Sequence, residues 1–460
     1  MEESRTIEKV VNLAKRRGFI FPSSEIYGGL SAAYDYGPLG VELKNNIKRT
    51  WWKMFVSERL DMVGLDAAII MHPKTWEASG HLDNFSDPLV ECKKCHRRFR
   101  YDHLLEDKTI VPQHDKTKPI DPKDIVCPEC GGELTDVKQF NMMFKTFMGP
   151  VEDSASIVYL RPETAGGIFV NFKNVLDTQR LRLPFGIAQI GKAFRNEITT
   201  ENFIFRTREF EQMEVEYFIE PKGWEKHFDS WLGVMRDWCK FLGLKKEDLV
   251  EVEISEKDRA FYSKRTIDFE YKFPFGQKEL YGLAYRTDYD LTQHQKASGQ
   301  DLAYTDPVTR EKFLPHVIEP SLGVDRSFLA VLLSAYTEID GGRSTTTKAI
   351  KDVEVVLKLP YQLAPIKVAV LPLSKKEELS KVSQDILLKL KKNFVCVYDE
   401  TASIGKRYRR QDEIGTPYCV TVDFDSLEDK KVTVRDRDTM EQERIAIDEL
   451  AAYFQEKLNY

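Results

Sequence analysis

Six strand-like segments follow one another between about residues 140 and 320: SIVYLRPETAGGIF, GIAQIGKAFRNEI, REFEQMEVEYF, TIDFEYKF, KELYGLAYRTDYDL and HVIEPSLG. Several neighbours are separated by too little chain for a helical crossover, so the block reads as an antiparallel sheet. Around it lie a short first helix, the turn-rich FPSSEIYGGLSAAYDYGPLG, and a long helical pattern from Val41 to Phe55 with Leu43, Ile47, Trp51 and Phe55 on one face. MVGLDAAIIMHP reads as a strand stopping at Pro73. From about residue 360 the pattern becomes IKVAVLPL, the helix KKEELSKVSQDILLKLKK, FVCVYDE, a basic helix, PYCVTVDF and KVTVRD, an alternation that argues for a separate α/β domain. The fold class expected is therefore α+β, and 460 residues with 42% apolar side chains supply material for about two to four domains.

No apolar run is long enough to span a membrane, and the start MEESRTIEKVV is unlike a signal or transit peptide, which makes a cytoplasmic location the default expectation. A net charge of -6 exerts no global pull on nucleic acid, so any RNA contact has to come from a local basic patch.

Cys92-x-x-Cys95 and Cys127-x-x-Cys130 have the spacing by which four thiolates close on Zn²⁺, and CPECGG adds glycines that let such a knuckle turn tightly. The stretch between the pairs exceeds the common finger spacing, so two reduced, metal-free pairs are the alternative. Within it, DKTIVPQHDKTKPIDPKD is polar and proline-bearing, as suits an inserted surface module. Cys239, Cys396 and Cys419 sit in apolar surroundings and read as small core residues.

The segment from Phe194 to Phe218 places many charges in what reads as a hairpin closed by TTEN. Strand alternation puts Glu211, Met213, Val215 and Tyr217 on one face, and Arg208, Phe210, Gln212, Glu214 and Glu216 on the other. In the first strand Gln189, Gly191, Ala193, Arg195 and Glu197 alternate against Ile190, Lys192 and Phe194. A charged strand face is often merely solvated. Here, however, arginine grips phosphate, the aromatic Phe210 offers a stacking surface, and Arg326 in EPSLGVDRSFLAVLL stands near a helix N-terminus that favours anions.

FRNE followed by RTREFEQME resembles motif 2 of the class II aminoacyl-tRNA synthetases, and EPSLGVDR with its apolar helix resembles motif 3. Helix 41–55 and the strand ending at Pro73 resemble motif 1, the dimer-forming element of that class. With YGPLGVELKNN, WEASGH, LRPETAGGIFVNF and SIGKRYRRQDEIGTPYCVTVDF, the chain is similar over essentially its whole length to the dimeric glycyl-tRNA synthetase family. The resemblance implies a catalytic sheet flanked by helices in residues 1–88 and 140–350, an inserted cysteine module at 89–139 and an anticodon-binding domain at 360–460.

For ATP, the resemblance implies that the catalytic residues Arg195 and Glu197, with Asn196 between them, meet the α-phosphate and the adenine edge. Phe210 and the catalytic Arg326 would sandwich the ring. Phe205, Arg206, Thr207, Arg208 and Glu209 belong to the nucleotide-binding stretch, where Arg206 and Arg208 would hold the β- and γ-phosphates. Glu279, Leu280, Gly323, Val324 and Asp325 complete the set. Val324 and Asp325 depart from the small residues usual before the motif 3 arginine. Mg²⁺ takes oxygen ligands, for which Glu279 and Glu319 are candidates.

For glycine, the resemblance implies Glu163, Glu214, Glu319 and Ser321, together with Arg100, Phe210, Glu211, Gln212, Met213, Arg286, Pro320, Leu322 and Gly323. Any single glutamate here has a structural salt bridge as its alternative. The eight histidines read as packing and surface residues. In the C-terminal domain, Lys406, Arg407, Arg409 and Arg410 surround Tyr408 and could meet phosphates and an unpaired base of tRNA(Gly), with a solvated helix face as the alternative. A homodimer is expected from motif 1. A noncatalytic relative would have lost the motif arginines, and a synthetase for serine, threonine or proline would lack the RPET, EQME and EPS set.

Overall fold

The computed structural model describes residues 2–106, 125–200, 202–343 and 353–458. The segment DKTIVPQHDKTKPIDPKD lies outside them, as does Glu201 of the TTEN loop.

Seven strands form the central sheet: β1 (Met62–Gly64), β2 (Phe185–Phe194), β3 (Glu209–Ile219), β4 (Leu249–Glu253), β5 (Arg265–Phe273), β6 (Gly276–Thr287) and β7 (His316–Gly323). Their spatial order is β4-β5-β6-β7-β3-β2-β1, antiparallel throughout except for the parallel pair β1/β2. One face is apolar. Met213, Val215, Tyr217 and Ile219 of β3 point into a core filled from α1 (Glu2–Arg17), α2 (Pro38–Trp52) and the helix that follows β7, Val324–Ala335. The expected stripe Leu43, Ile47, Trp51 and Phe55 is buried there, with the last turn, Lys53–Ser57, wound more widely. The opposite face carries a second apolar cluster around Phe172, Phe185 and Phe218 at one end and the polar residues of β3 at the other.

Two strand assignments need correction. MVGLDAAIIMHP is not one strand: Met62–Gly64 pairs in the central sheet and Ile70–Met71 in a separate three-stranded sheet, while Pro73 begins a short helix, the position its fixed φ favours. Of SIVYLRPETAGGIF, Ile157–Leu160 pairs in that same small sheet and not in the central one, and the chain then becomes α3 (Ala165–Gln179). The two glycines there serve close packing. A Cβ on Gly166 would stand 2.8 Å from the Trp76 ring, and one on Gly167 2.6 Å from the Ala67 Cβ. The β2–β3 connection is also longer than TTEN, because the turn Phe203–Phe205 dips into the core and buries Ile204 and Phe205.

The cysteine module contains a small three-stranded sheet of Ser86–Glu91, Arg98–Arg100 and Lys138–Asn141. The C-terminal sheet is built from β8 (Val368–Pro372), β9 (Cys396–Tyr398), β10 (Tyr418–Val422), β11 (Lys431–Asp436) and β12 (Gln442–Ala446), in the order β9-β8-β10-β11-β12. Its parallel strands are crossed by α4 (Glu377–Leu390) and by α5 (Ile404–Ile414), the basic helix. Among the described residues no helix is long and apolar enough to cross a membrane.

Candidate active site

β3 turns its charged residues towards a cleft and an adjoining buried polar cluster. The first is a cleft lined by Arg195, Glu197, Phe205, Arg206, Thr207, Phe210, Glu211, Gln212, Glu279, Leu280, Ser321, Leu322, Gly323, Asp325 and Arg326. Motifs separated by more than a hundred residues meet there because β7 pairs with both β3 and β6. Arg195 donates from Nε to the Pro162 carbonyl at 3.1 Å, and its guanidinium carbon lies 5.2 Å from the Phe210 ring centre. Arg326 donates to the Glu279 carbonyl at 2.8 Å, pairs with the Glu279 carboxylate at 3.2 Å and lies 4.5 Å over the Phe205 ring. Phe210 and Arg326 thus share one cleft but each stacks on a different neighbour. Glu197 Oε2 is buried without a partner, an acceptor left for a donor entering the cleft.

Several residues expected to meet nucleotide or glycine have side chains that serve the frame. Asp325 accepts the Glu211 amide at 2.7 Å, pairs with Lys44 at 3.2 Å and bonds Tyr36, so the departure from small residues ties the motif 3 helix to β3 and α2. Val324, Leu280, Leu322 and Met213 have core side chains, and Pro320 is buried in β7. Glu211 is held by Lys44 and Lys48 at 3.1 and 3.0 Å. Glu209 is exposed and paired with Lys192. Asn196 and Arg208 open instead onto a second cleft shared with Leu89, Arg98 and Lys138.

The second is a buried cluster of polar side chains behind Ser321, called the pit below. The Ser321 hydroxyl donates to Glu214 Oε1 at 2.7 Å, Gln212 Nε2 donates to the same oxygen at 3.3 Å, and the Thr164 hydroxyl donates to Oε2. Glu163 faces His81 Nε2 at 3.4 Å. Burial raises the Glu214 carboxyl, and Glu163 raises it further. Burial would raise Glu163 too, but His81, Arg286 and Arg195 outweigh it and hold that carboxyl at about 2. Arg286 is gripped by Asp290 at 2.8 Å and by Glu319 at 2.8 Å, with Tyr262 against its face.

Glu319, Arg100 and His81 have definite partners here. Glu319 is not among the residues lining the cleft and pairs with Arg286, whereas Glu279 lines it. Arg100 is paired with Asp87 and Asp102 at 2.7 and 2.6 Å, outside the residues that line the cleft. His81 is not a mere packing or surface residue. It faces Glu163, next to Thr164, which bonds Glu214, and neither type, alone in WEASGH or RPET, signals that partnership.

Comparison with known proteins matches residues 149–336 to the tRNA synthetase class II core domain (G, H, P, S and T) and residues 367–457 to an anticodon-binding domain. The glycine–tRNA ligase of Alkaliphilus oremlandii is 56% identical over 100% of both chains. Those of Agathobacter rectalis and Lachnospira eligens are 55% and 54% identical over 99% of this chain and 100% of their own length. The chain belongs to the glycine–tRNA ligase family.

Two features of this family member lie away from the cleft. The Sγ atoms of Cys92, Cys95, Cys127 and Cys130 all lie within 4.8 Å of one another, with Cys92–Cys130 at 3.5 Å and Cys95–Cys127 at 3.7 Å. Tetrahedral zinc with Zn–S of about 2.3 Å requires S···S near ~3.8 Å, so the donor set fits that ion. A Cβ on Gly132 would fall 2.9 Å from the Cys92 sulfur, which explains the second glycine of CPECGG.

The basic run of α5 needs correction. Arg407 is buried and donates to the carbonyls of Pro372, Asp399 and Leu373. Arg410 is paired with Asp399, and Tyr408 bonds Thr421 at 2.6 Å with Arg435 across its ring. Arg409 is half-buried beside Gly342, so Lys406 is the exposed cation of the run. A helix packed against a sheet spends its inward cations on loop carbonyls.

Proposed function

We propose that this chain activates glycine with ATP to glycyl-adenylate and transfers the glycyl group to the 3′ end of tRNA(Gly), the reaction of glycine–tRNA ligase. The observation that carries the reading is the common wall of cleft and pit. Ser321 and Gln212 line the nucleotide cleft and also bond Glu214 in the pit, so an amino acid whose ammonium sits among Glu163 and Glu214 directs its carboxylate at the nucleotide.

In the first step a glycine carboxylate oxygen bonds to the α-phosphorus and the bond to the β-phosphate's bridging oxygen breaks, releasing pyrophosphate. Negative charge grows on phosphoryl oxygens, and Arg195, Arg206 and Arg326 are the cations of the cleft that face it. Glu197 accepts from the adenine edge. Mg²⁺, when bound, would neutralise phosphate charge, with Glu279 as its protein ligand. In the second step a terminal ribose hydroxyl of tRNA attacks the adenylate carbonyl and AMP leaves. Alanine is refused sterically, because the wall of Glu163, Glu214 and Ser321 cannot retreat without unpairing buried charge.

The same reading assigns residues 1–88 and 140–350 to catalysis, 89–139 to a zinc-held insertion, 360–460 to the anticodon, and the enzyme to the cytoplasm as a homodimer. Metal analysis should find one zinc per chain. The decisive experiment is glycine-dependent ATP–pyrophosphate exchange. Arg195→Ala and Arg326→Ala are each expected to reduce it at least a hundredfold, about 3 kcal/mol of lost transition-state stabilisation, with circular dichroism unchanged. Near-normal exchange by both variants would refute the nucleotide assignment.

A further inference from the structure

The face of β3 that carries the pit continues one residue pair deeper. Glu216 lies two residues beyond Glu214 on that face, fully buried, opposite Ile187 of β2. The register that pairs Glu214 with Ser321 and Tyr217 with Ile318 sets Glu216 beside Glu319 of β7. Both Glu216 oxygens are buried without a hydrogen-bond partner. So are both side-chain polar atoms of Gln189, which stands diagonally across on β2, opposite Glu214.

The charged groups that face Glu216 are Glu319, Arg286, Glu214 and Asp290. Arg286, the one cation of the four, already serves Asp290 and Glu319. Around them stand Glu163 with His81, Tyr262 against Arg286, His294 on the helix Tyr289–Ser298, and Arg161, whose charge acts on Glu214. From α3, the Phe169 ring lies 5.3 Å from the Arg286 guanidinium.

An interior carboxylate with no donor and no free cation is too costly to ionise, so Glu216 takes a proton instead. We propose that Glu216 is a positioning residue for the substrate ammonium, a neutral acid in the free protein that gives its proton to solvent when the ammonium enters the pit. One O–H bond of Glu216 breaks, the proton passes to bulk buffer, and the carboxylate formed helps hold the arriving cation. Charge in the pit is conserved, since one proton leaves as one ammonium arrives. Burial, and Glu319 after it, raise the Glu216 carboxyl well above the usual range, in keeping with this exchange. The inference rests on the reading of Glu163, Glu214 and Ser321 as the ammonium pocket.

The test is glycine binding to the full-length chain, followed by calorimetry near neutral pH in buffers of different ionisation enthalpy. Wild type is expected to release protons, and Glu216→Gln, which keeps the shape but has no proton to yield, to release fewer. In exchange assays the variant's glycine KM should rise about tenfold and lose its pH dependence while the ATP KM stays unchanged. Infrared spectra of wild type should show a protonated-carboxyl band that glycine abolishes, a readout that stands even if the variant fails to fold. Wild type that binds glycine with no proton release and an unaltered band overturns the proposal, as does a folded variant with undiminished release. Wild type that does not bind glycine refutes the pocket reading instead.

Discussion

Glu163 and Glu214 stand in the same pit and are pushed in opposite directions by what surrounds them. Glu214 meets hydroxyls and another carboxylate, whereas Glu163 meets His81, Arg286 and Arg195. Because the Glu163 carboxyl is held at about 2 against an ordinary 4.5, its stabilising contribution is complete above the ordinary value and lost as pH falls towards the lower one. The stability advantage of wild type over Glu163→Gln, measured by urea denaturation, should therefore shrink through that acidic window. An advantage that stays constant across it would mean that Glu163 is not held by those cations. The carboxylates themselves were legible from RPET and EQME. The Glu163 partner His81 was not, because a single histidine far off in sequence carries no spacing signal.

At the scale of elements, α2 and α5 show opposite outcomes of the same kind of reading. The apolar stripe of α2 has a helical period, and burial of Leu43, Ile47, Trp51 and Phe55 follows from it. The cations of α5 crowd one short run, and period alone does not say which of them turns inward. Arg407 does, and its guanidinium satisfies buried carbonyls, so Arg407→Ala should destabilise the protein by about 2–3 kcal/mol. Lys406→Ala should leave the urea midpoint unchanged and weaken aminoacylation while sparing pyrophosphate exchange. Equal loss of both activities in Lys406→Ala would remove α5 from the tRNA contact.

Across the whole molecule, the C-terminal domain is fastened to the catalytic body by Leu363, Ile366 and Ile414, which join its main core, and by charge. Asp412 of α5 accepts from Arg435 and from Arg343, and Arg343 also pairs with Glu354. Glu413 reaches Arg16 and Arg17 of α1. Asn46 of α2 adds hydrogen bonds to the carbonyls of Leu363 and Ala364. The core satisfies the α2 stripe, so the case for a dimer moves to the apolar residues left outside. Ile69, Ile70, Phe147 and Met148 are 36%, 48%, 38% and 64% exposed, on or beside the small sheet that contains Ile70–Met71 and Lys145–Phe147. Sedimentation at micromolar concentration is expected to give twice the 53.3 kDa of the chain, and Met148→Glu with Ile70→Glu to shift it towards monomer. A monomeric wild type would contradict the dimer.

The sequence by itself determined the antiparallel sheet, the buried stripe of α2 and the four-cysteine set, because strand alternation, helical period and ligand spacing are local; the residues of cleft and pit were legible only through the resemblance of its motifs to a family. Tertiary structure alone decided which groups meet across β3, β6 and β7. It paired Glu163 with His81, gave Glu319 to Arg286, turned Arg407 inward and left Glu216 without a partner. Those outcomes depend on which side chains share a buried volume, where an unpaired charge is costly, and no local pattern encodes that sharing.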